Sequence, residues 1–200
     1  MARQRNITDE QILEQARACF LEHGAGISTT VIAEQLGISH GVLFQRFGTK
    51  EQLLRAALLP SPEQPWLERA RSGPDDRDVQ TQLRELAMEI SAHLERMVPC
   101  LAVLRSAGVH VDPGVERPED LPPVRARREV AAWFERAFTR GLLRPVPAEH
   151  AADLFLGALH FRPFHQHLSR QRFEPAENRA YVEFAVEVLC RMFAPEAKTR

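Results

Sequence analysis

Apolar residues recur at intervals of three and four along most of the chain. No alternation of apolar and polar positions is long enough for a strand, so the pattern predicts an all-α protein. The first helix has a marked start: Thr8 caps, Gln11 completes a capping box, and Ile7 and Ile12 are spaced as a hydrophobic staple. Asp9 and Glu10 suit the positive end of its dipole. Ile12, Leu13, Ala16 and Phe20 form its apolar stripe, and His23 with Gly24 ends it. Ser28 caps a second helix, Thr29 to Leu36, that turns Ile32, Ala33 and Leu36 inward. Gly37 breaks it, Ser39 caps a third from His40 to Phe47, and Gly48 breaks that. Thr49 and Gln52 make a second capping box, for a fourth helix with Leu53, Leu54, Ala57 and Leu58 that runs to Pro60.

The stretch PSPEQP (60–65) is a change of composition, and the expected domain boundary falls there, between 1–59 and 60–200. After a turn at SGPDDRD (72–78), Val79, Leu83, Leu86, Ile90, Leu94 and Met97 keep helical spacing to about 98. Pro99 kinks or ends that helix, and a further apolar turn carries Leu101 and Leu104. The proline- and glycine-rich 108–123 reads as a loop, and helices follow at about 124–143, 148–169 and 176–193. The last is apolar around most of its girth (Tyr181, Val182, Phe184, Ala185, Val186, Val188, Leu189, Met192, Phe193), and the one before it carries Leu154, Phe155, Leu156, Leu159 and Phe161. Both read as helices covered on two faces, one inward and one against a second copy of the chain.

Composition narrows the picture. The chain is 44 % hydrophobic and 26 % charged with a net charge of -1, so a nucleic-acid function has to rest on a local patch rather than on overall charge. No apolar run approaches the roughly 18 residues of a membrane span, and the N-terminus lacks the apolar core of a signal peptide, so a cytoplasmic location is expected. Cys19, Cys100 and Cys190 are too scattered for a disulfide framework or a CxxC metal site. His160, His165 and His167 invite a metal reading, but side chains two apart on a helix diverge, and no metal or cofactor is expected. No serine–histidine–acid order, phosphate loop or catalytic carboxylate pair stands out, so no enzyme is expected.

Residues 28–47 fit a helix–turn–helix: a small residue, Ala33, allows close approach, Gly37 permits a left-handed turn, and Ile32, Leu36, Ile38, Leu43 and Phe47 lock the pair. The outer face of the second helix then holds His40, Gly41, Phe44 and Gln45, with Arg46 at its edge. No acid lies between Glu34 and Glu51, whereas Arg46, Lys50 and the titratable His40 do, which makes a local basic strip. The stretches ILEQARACFLEHG, TTVIAEQLGISHGVLFQRF and GTKEQLL, in this order and spacing, resemble the N-terminal DNA-binding module of the tetracycline-repressor (TetR) family over residues 8–58. The resemblance implies an N-terminal three-helix helix–turn–helix DNA-binding domain followed by a C-terminal helical ligand-binding and dimerisation domain.

Carried onto this sequence, the resemblance implies that Thr29 and Thr30 touch backbone phosphate, with Thr30 near a base, and that His40, Gly41 and Gln45 face base edges. Phe44 stands where the family usually has tyrosine, so an apolar contact replaces a phosphate bond. Arg46 and Lys50 would contact phosphates, and Arg3 and Arg5 could reach the minor groove. The family pattern also implies a homodimer bound to double-stranded DNA, with a small-molecule inducer in a C-terminal cavity and no membrane partner. Met88, His93, Met97, Cys100, Leu101 and Leu104, with Trp133, Phe134, Phe138, Phe155, Leu159 and His160, are the expected lining, although the same spacing also suits plain core. A DNA-bound adaptor controlled by a protein partner is the alternative.

Overall fold

A computed structural model of the chain describes residues 7–59, 64–109, 117–169 and 171–195. Arg3, Arg5, residues 110–116 of the expected 108–123 loop (His110 among them) and the first four residues of the proline-rich stretch lie outside them. Every regular element among the described residues is helical: α1 (Asp9–His23), α2 (Thr29–Leu36), α3 (His40–Phe47), α4 (Lys50–Leu58), α5 (Pro65–Ser72), α6 (Val79–Ser106), α7 (Pro122–Thr139), α8 (Ala148–Ser169) and α9 (Pro175–Met192), with one 3₁₀ turn (Pro118–Asp120).

The helix starts follow the expected side-chain chemistry. Thr8 with Gln11 and Thr49 with Gln52 both form reciprocal capping boxes, while the Ser28 and Ser39 hydroxyls accept from the backbone N–H groups of Thr30 and Val42. Two elements differ most from the sequence reading, and α7 also runs Pro122–Thr139 where 124–143 was expected. The first is α5, which occupies residues left without a helix; Pro65 at its first turn starts it, because the missing N–H is one that no helix satisfies there. The second is α6, which runs unbroken for 28 residues with Pro99 inside it.

The chain divides into two compact units, residues 1–60 with 97–113 and residues 61–96 with 114–200. In the first, α1 packs on α2 and α4, and α3 on α2 and α4. Its core is Ile12, Ala16, Cys19, Phe20, Ile32, Ala33, Leu43, Leu53, Leu54, Ala57 and Leu58, joined by Cys100, Leu104 and Val109 from beyond Met97. Gln35 accepts from Gln15 Nε2 (2.7 Å) and from the Cys19 thiol (3.0 Å), which ties α2 to α1. In the second unit α5 packs on α7, α7 on α8 and α8 on α9. An aromatic cluster fills its centre: Phe134 lies 5.4 Å from Trp133, 5.7 Å from Phe155 and 6.4 Å from Phe193, ring centre to ring centre.

Arginines close the loop between α5 and α6. Arg136 donates to the carbonyls of Gly73 (2.7 Å) and Ala70 (2.5 Å) at the end of α5, and Arg140 donates to Pro74 and Asp75 carbonyls. On α8, the Arg162 guanidinium sits 4.4 Å from the Phe173 ring centre and 4.5 Å from that of Tyr181, and donates to Asn178 Oδ1 on α9.

Gly37 is the position where the turn itself demands glycine, with φ 66° and ψ 28° between α2 and α3. A Cβ there would meet nothing within 4 Å, so a substitution costs backbone strain and no clash. Gly37→Val is expected to lower stability by about 1–2 kcal/mol, and Gly37→Asn by less, because asparagine tolerates the left-handed region better. Urea unfolding of the two variants checks the order.

Candidate nucleic-acid interface

Eight residues make up α3, and only Leu43 among them is fully buried, at 1 % exposure against the core that includes Ile32 and Ala33. That economy leaves His40, Gly41, Phe44 and Gln45 on the surface, together with Thr30 of α2. The expected outward face of the third helix is therefore present as one surface.

Within it, side chains are tied to one another in ways the sequence did not disclose. Thr29, expected to touch phosphate, is instead 7 % exposed, and its Oγ1 lies 3.0 Å from His40 Nε2. Its position at the start of α2 turns it toward α3, so it positions His40 from beneath. The His40 ring also leans on Phe44, 4.4 Å between centres, as residues four apart on a helix do. Phe44, 39 % exposed, thus braces the imidazole as well as presenting an apolar surface.

Arg46, expected to contact phosphate, is likewise engaged inside the protein: Nη1 donates to the Ile7 carbonyl (2.7 Å) and to Asp9 Oδ1 (3.1 Å). Its guanidinium clamps the last turn of α3 to the first turn of α1. Lys50 differs, since it begins α4 directly after the Thr49 cap, is half-buried and has no ion pair with a described residue. An ammonium at a helix start, beside backbone N–H groups that also attract anions, is an apt phosphate ligand. It borders an open cleft of about 460 Å³ lined also by Ala25, Gly26, Glu51, Leu54, Ser106, Ala107 and Val109.

Gly41 is not required by the fold. Its backbone is not left-handed, and an added Cβ would find only Ser39 Oγ, at 3.8 Å. Glycine inside a helix costs about 1 kcal/mol relative to alanine. The fold itself thus gives no reason for glycine at this exposed position.

The expected ligand lining is divided between the two units. Cys100 and Leu104 are fully buried in the core of the first unit with Leu101 packed against it, because the helix continues past Pro99, and burial there raises the Cys100 thiol pKa. Met97 also belongs to the first unit, whereas Met88 and His93 belong to the second. Trp133, Phe134, Phe138 and Phe155 fill space against one another, and Leu159 is buried with them in the second unit's core. His160 is exposed, with Nδ1 3.1 Å from the Leu156 carbonyl of its own helix. A further cleft, of about 510 Å³, is lined by Gln64, Pro65, Leu67, Glu68 and Arg71, none of them expected. Among the described residues no three histidine, cysteine or acidic side chains group to hold a metal, and no helix is long and apolar enough to cross a membrane.

A short exposed helix held across a glycine turn by a second one, with an acid-free window along its edge, defines a helix–turn–helix DNA-binding transcriptional regulator. Comparison with known proteins gives the family. Residues 12–57 match the profile described as bacterial regulatory proteins of the tetR family, and residues 115–195 match that of the AefR-like transcriptional repressor C-terminal domain. The chain belongs to the TetR family. Over 48 residues it is 46 % identical to the HTH-type transcriptional repressor AcnR of Corynebacterium efficiens and to that of Corynebacterium glutamicum, a match spanning 24 % of this chain and 26 % of each relative. A TetR-family regulator from Mesorhizobium loti superposes with a TM-score of 0.63 at 19 % identity, covering 92 % of this chain and 96 % of its own. PfmR from Thermus thermophilus gives 0.63 at 20 %, covering 90 % and 97 %, and a regulator from Pseudomonas syringae gives 0.61 at 22 %, covering 95 % and 98 %. These likenesses establish the fold.

Two tests separate the roles. Lys50→Ala is expected to reduce the steepness of the salt dependence of DNA binding by about 0.9, the effect of one lost phosphate contact. Arg46→Ala is expected to leave that slope closer to the parent's while costing roughly 1 kcal/mol of stability. Gly41→Ala is expected to keep or slightly raise the melting temperature while weakening DNA binding. An unchanged affinity for Gly41→Ala would mean that DNA binding does not account for this glycine.

Proposed function

We propose that the protein is a homodimeric repressor that binds a palindromic operator and is released by a small-molecule inducer. One reading helix contacts a few base pairs, each worth about 1–3 kcal/mol of discrimination, so a single copy cannot select a site in a genome. Two copies related by a two-fold axis read two half-sites about one helical turn apart.

The observation that carries the dimer is the outer face of α8 and α9. Val182, Val186 and Leu189 of α9 are buried in their own unit, and so are Phe155 and Leu159 of α8. On the opposite sides Leu154, Phe161, Phe164 and Leu168 of α8 and Phe184, Val188 and Met192 of α9 are exposed, Phe184 by 62 % and Leu168 by 67 %. Large apolar side chains repeated along two consecutive helices mark an interaction surface rather than ordinary scatter. A second copy presents the same surface, as a two-fold contact requires. The same division appeared in the sequence as helices apolar around most of their girth.

Repression then follows from occupancy, since a dimer on its operator excludes polymerase. Release requires an inducer that binds the two arrangements of the dimer with different affinity. The AefR-like profile over 115–195 and the AcnR relatives support the repressor direction.

The test is the double substitution Phe161→Glu with Phe184→Glu. Both side chains are exposed, so the fold of the chain is expected to survive. The parent is expected to sediment as a dimer and the variant as a monomer, with operator affinity falling roughly 10²-fold as the second half-site is lost. Operator fragments come from selection of bound genomic DNA. A variant that remains dimeric would place the interface elsewhere.

A further inference from the structure

Trp66 on α5 is 6 % exposed, yet its indole N–H has no hydrogen-bond partner among the described residues. On α6, Glu89 takes both Nε (3.1 Å) and Nη2 (2.7 Å) of Arg69 on Oε1, while its other oxygen, Oε2, is buried and unpartnered. His93, one turn further along α6, is 9 % exposed, lies 5.8 Å from Trp66 between ring centres and makes no hydrogen bond to a described residue. Buried donors and acceptors without partners are uncommon because desolvation is then uncompensated. Here a donor, an acceptor and an imidazole are left open in one region of the second unit.

Their placement follows from the pairing of the two helices. Trp66 meets His93, and Arg69 meets Glu89 and Glu85. As numbering rises on α5 it falls on α6, so the helices run antiparallel and residues 66, 89 and 93 share one seam. Burial, and then the charge of Arg96, hold the His93 imidazole below its ordinary value, so it is neutral at pH 7 with one donor and one acceptor nitrogen.

We propose that Trp66, Glu89 and His93 form the polar end of a small-molecule site in the C-terminal unit, selective for a neutral aromatic compound that bears a hydroxyl group. It rests on the ligand-responsive reading above and names the class of ligand. A hydroxyl can accept from an indole N–H and donate to a carboxylate oxygen, so it matches both orphans in kind. A carboxylate ligand would place a second anion beside Glu89. An ammonium ligand would leave the indole N–H unmatched and face the Arg69 guanidinium. The rings of Trp66 and His93 supply an aromatic wall for the body of the ligand.

The experiment uses the full chain at pH 7 and three probes of one scaffold: 2-naphthol, 2-naphthoate and 2-naphthylmethylammonium. Binding is read by calorimetry and by tryptophan fluorescence. 2-Naphthol is expected to bind at least tenfold more tightly than either ion, and Trp66→Phe and Glu89→Gln are each expected to weaken it about tenfold. Circular dichroism confirms that each variant is folded, and the two substitutions remove different atoms, so failure of one to fold leaves the other. No 2-naphthol binding at millimolar concentration, equal binding of the naphthoate, or binding indifferent to both substitutions would overturn the proposal.

Operator release separates this inference from the reading beneath it. 2-Naphthol that binds through Trp66 and Glu89 but leaves DNA bound keeps the site and refutes the inducer role. DNA release by compounds whose action survives both substitutions keeps the inducer role and refutes the site.

Discussion

The reading surface depends on one buried side chain. An eight-residue helix has no stability of its own in water, and α3 has only Leu43 wholly inside, in the core that holds Ile32 and Ala33. The Ser39 cap and the left-handed Gly37 fix where α3 starts and at what angle it leaves α2. Everything the surface offers to DNA follows from that anchoring. Because so little of α3 is spent on burial, His40, Gly41, Phe44 and Gln45 remain outward, and the glycine among them is free of any structural duty.

The groups nearest that surface are constrained in unequal ways. His40 is held from below by Thr29 and from the side by Phe44, which fixes the orientation of its ring. Arg46 braces α3 against the first turn of α1 through Ile7 and Asp9. Lys50, unlike Arg46, has neither an ion pair nor a carbonyl partner among the described residues. The packed and paired groups are thus fixed in orientation, while the Lys50 charge is held apart from them.

Much of the fold was legible because its signals are local. Thr8 with Gln11, Thr49 with Gln52, Ser28 and Ser39 lie within three residues of the groups they cap, and the structure has all four helix starts where they fall. The helix–turn–helix was legible for the same reason, since Ala33, Gly37 and Leu43 act at close range. The short α5 was missed because its prolines read as a break, whereas Pro65 opens a helix. Partnerships across long separations left no trace: Arg46 lies 37 residues from Asp9, and nothing near either announces the other. The expected ligand lining divides between the two units for a different reason. Periodicity tells that Cys100, Leu104, Trp133 and Phe155 are buried, but not which core each one enters, and they enter two.

The contribution of residues beyond Met97 to the first core bears on how such regulators can be recombined. A DNA-binding module excised at the proline-rich stretch would leave Cys100, Leu104 and Val109 behind and uncover the apolar surface they close. Modularity in sequence is therefore not modularity in packing. A hybrid that borrows this reading head has to bring along a second, distant piece of chain, and one of its junctions falls inside a continuous helix, where heptad phase and not linker length governs whether the graft folds.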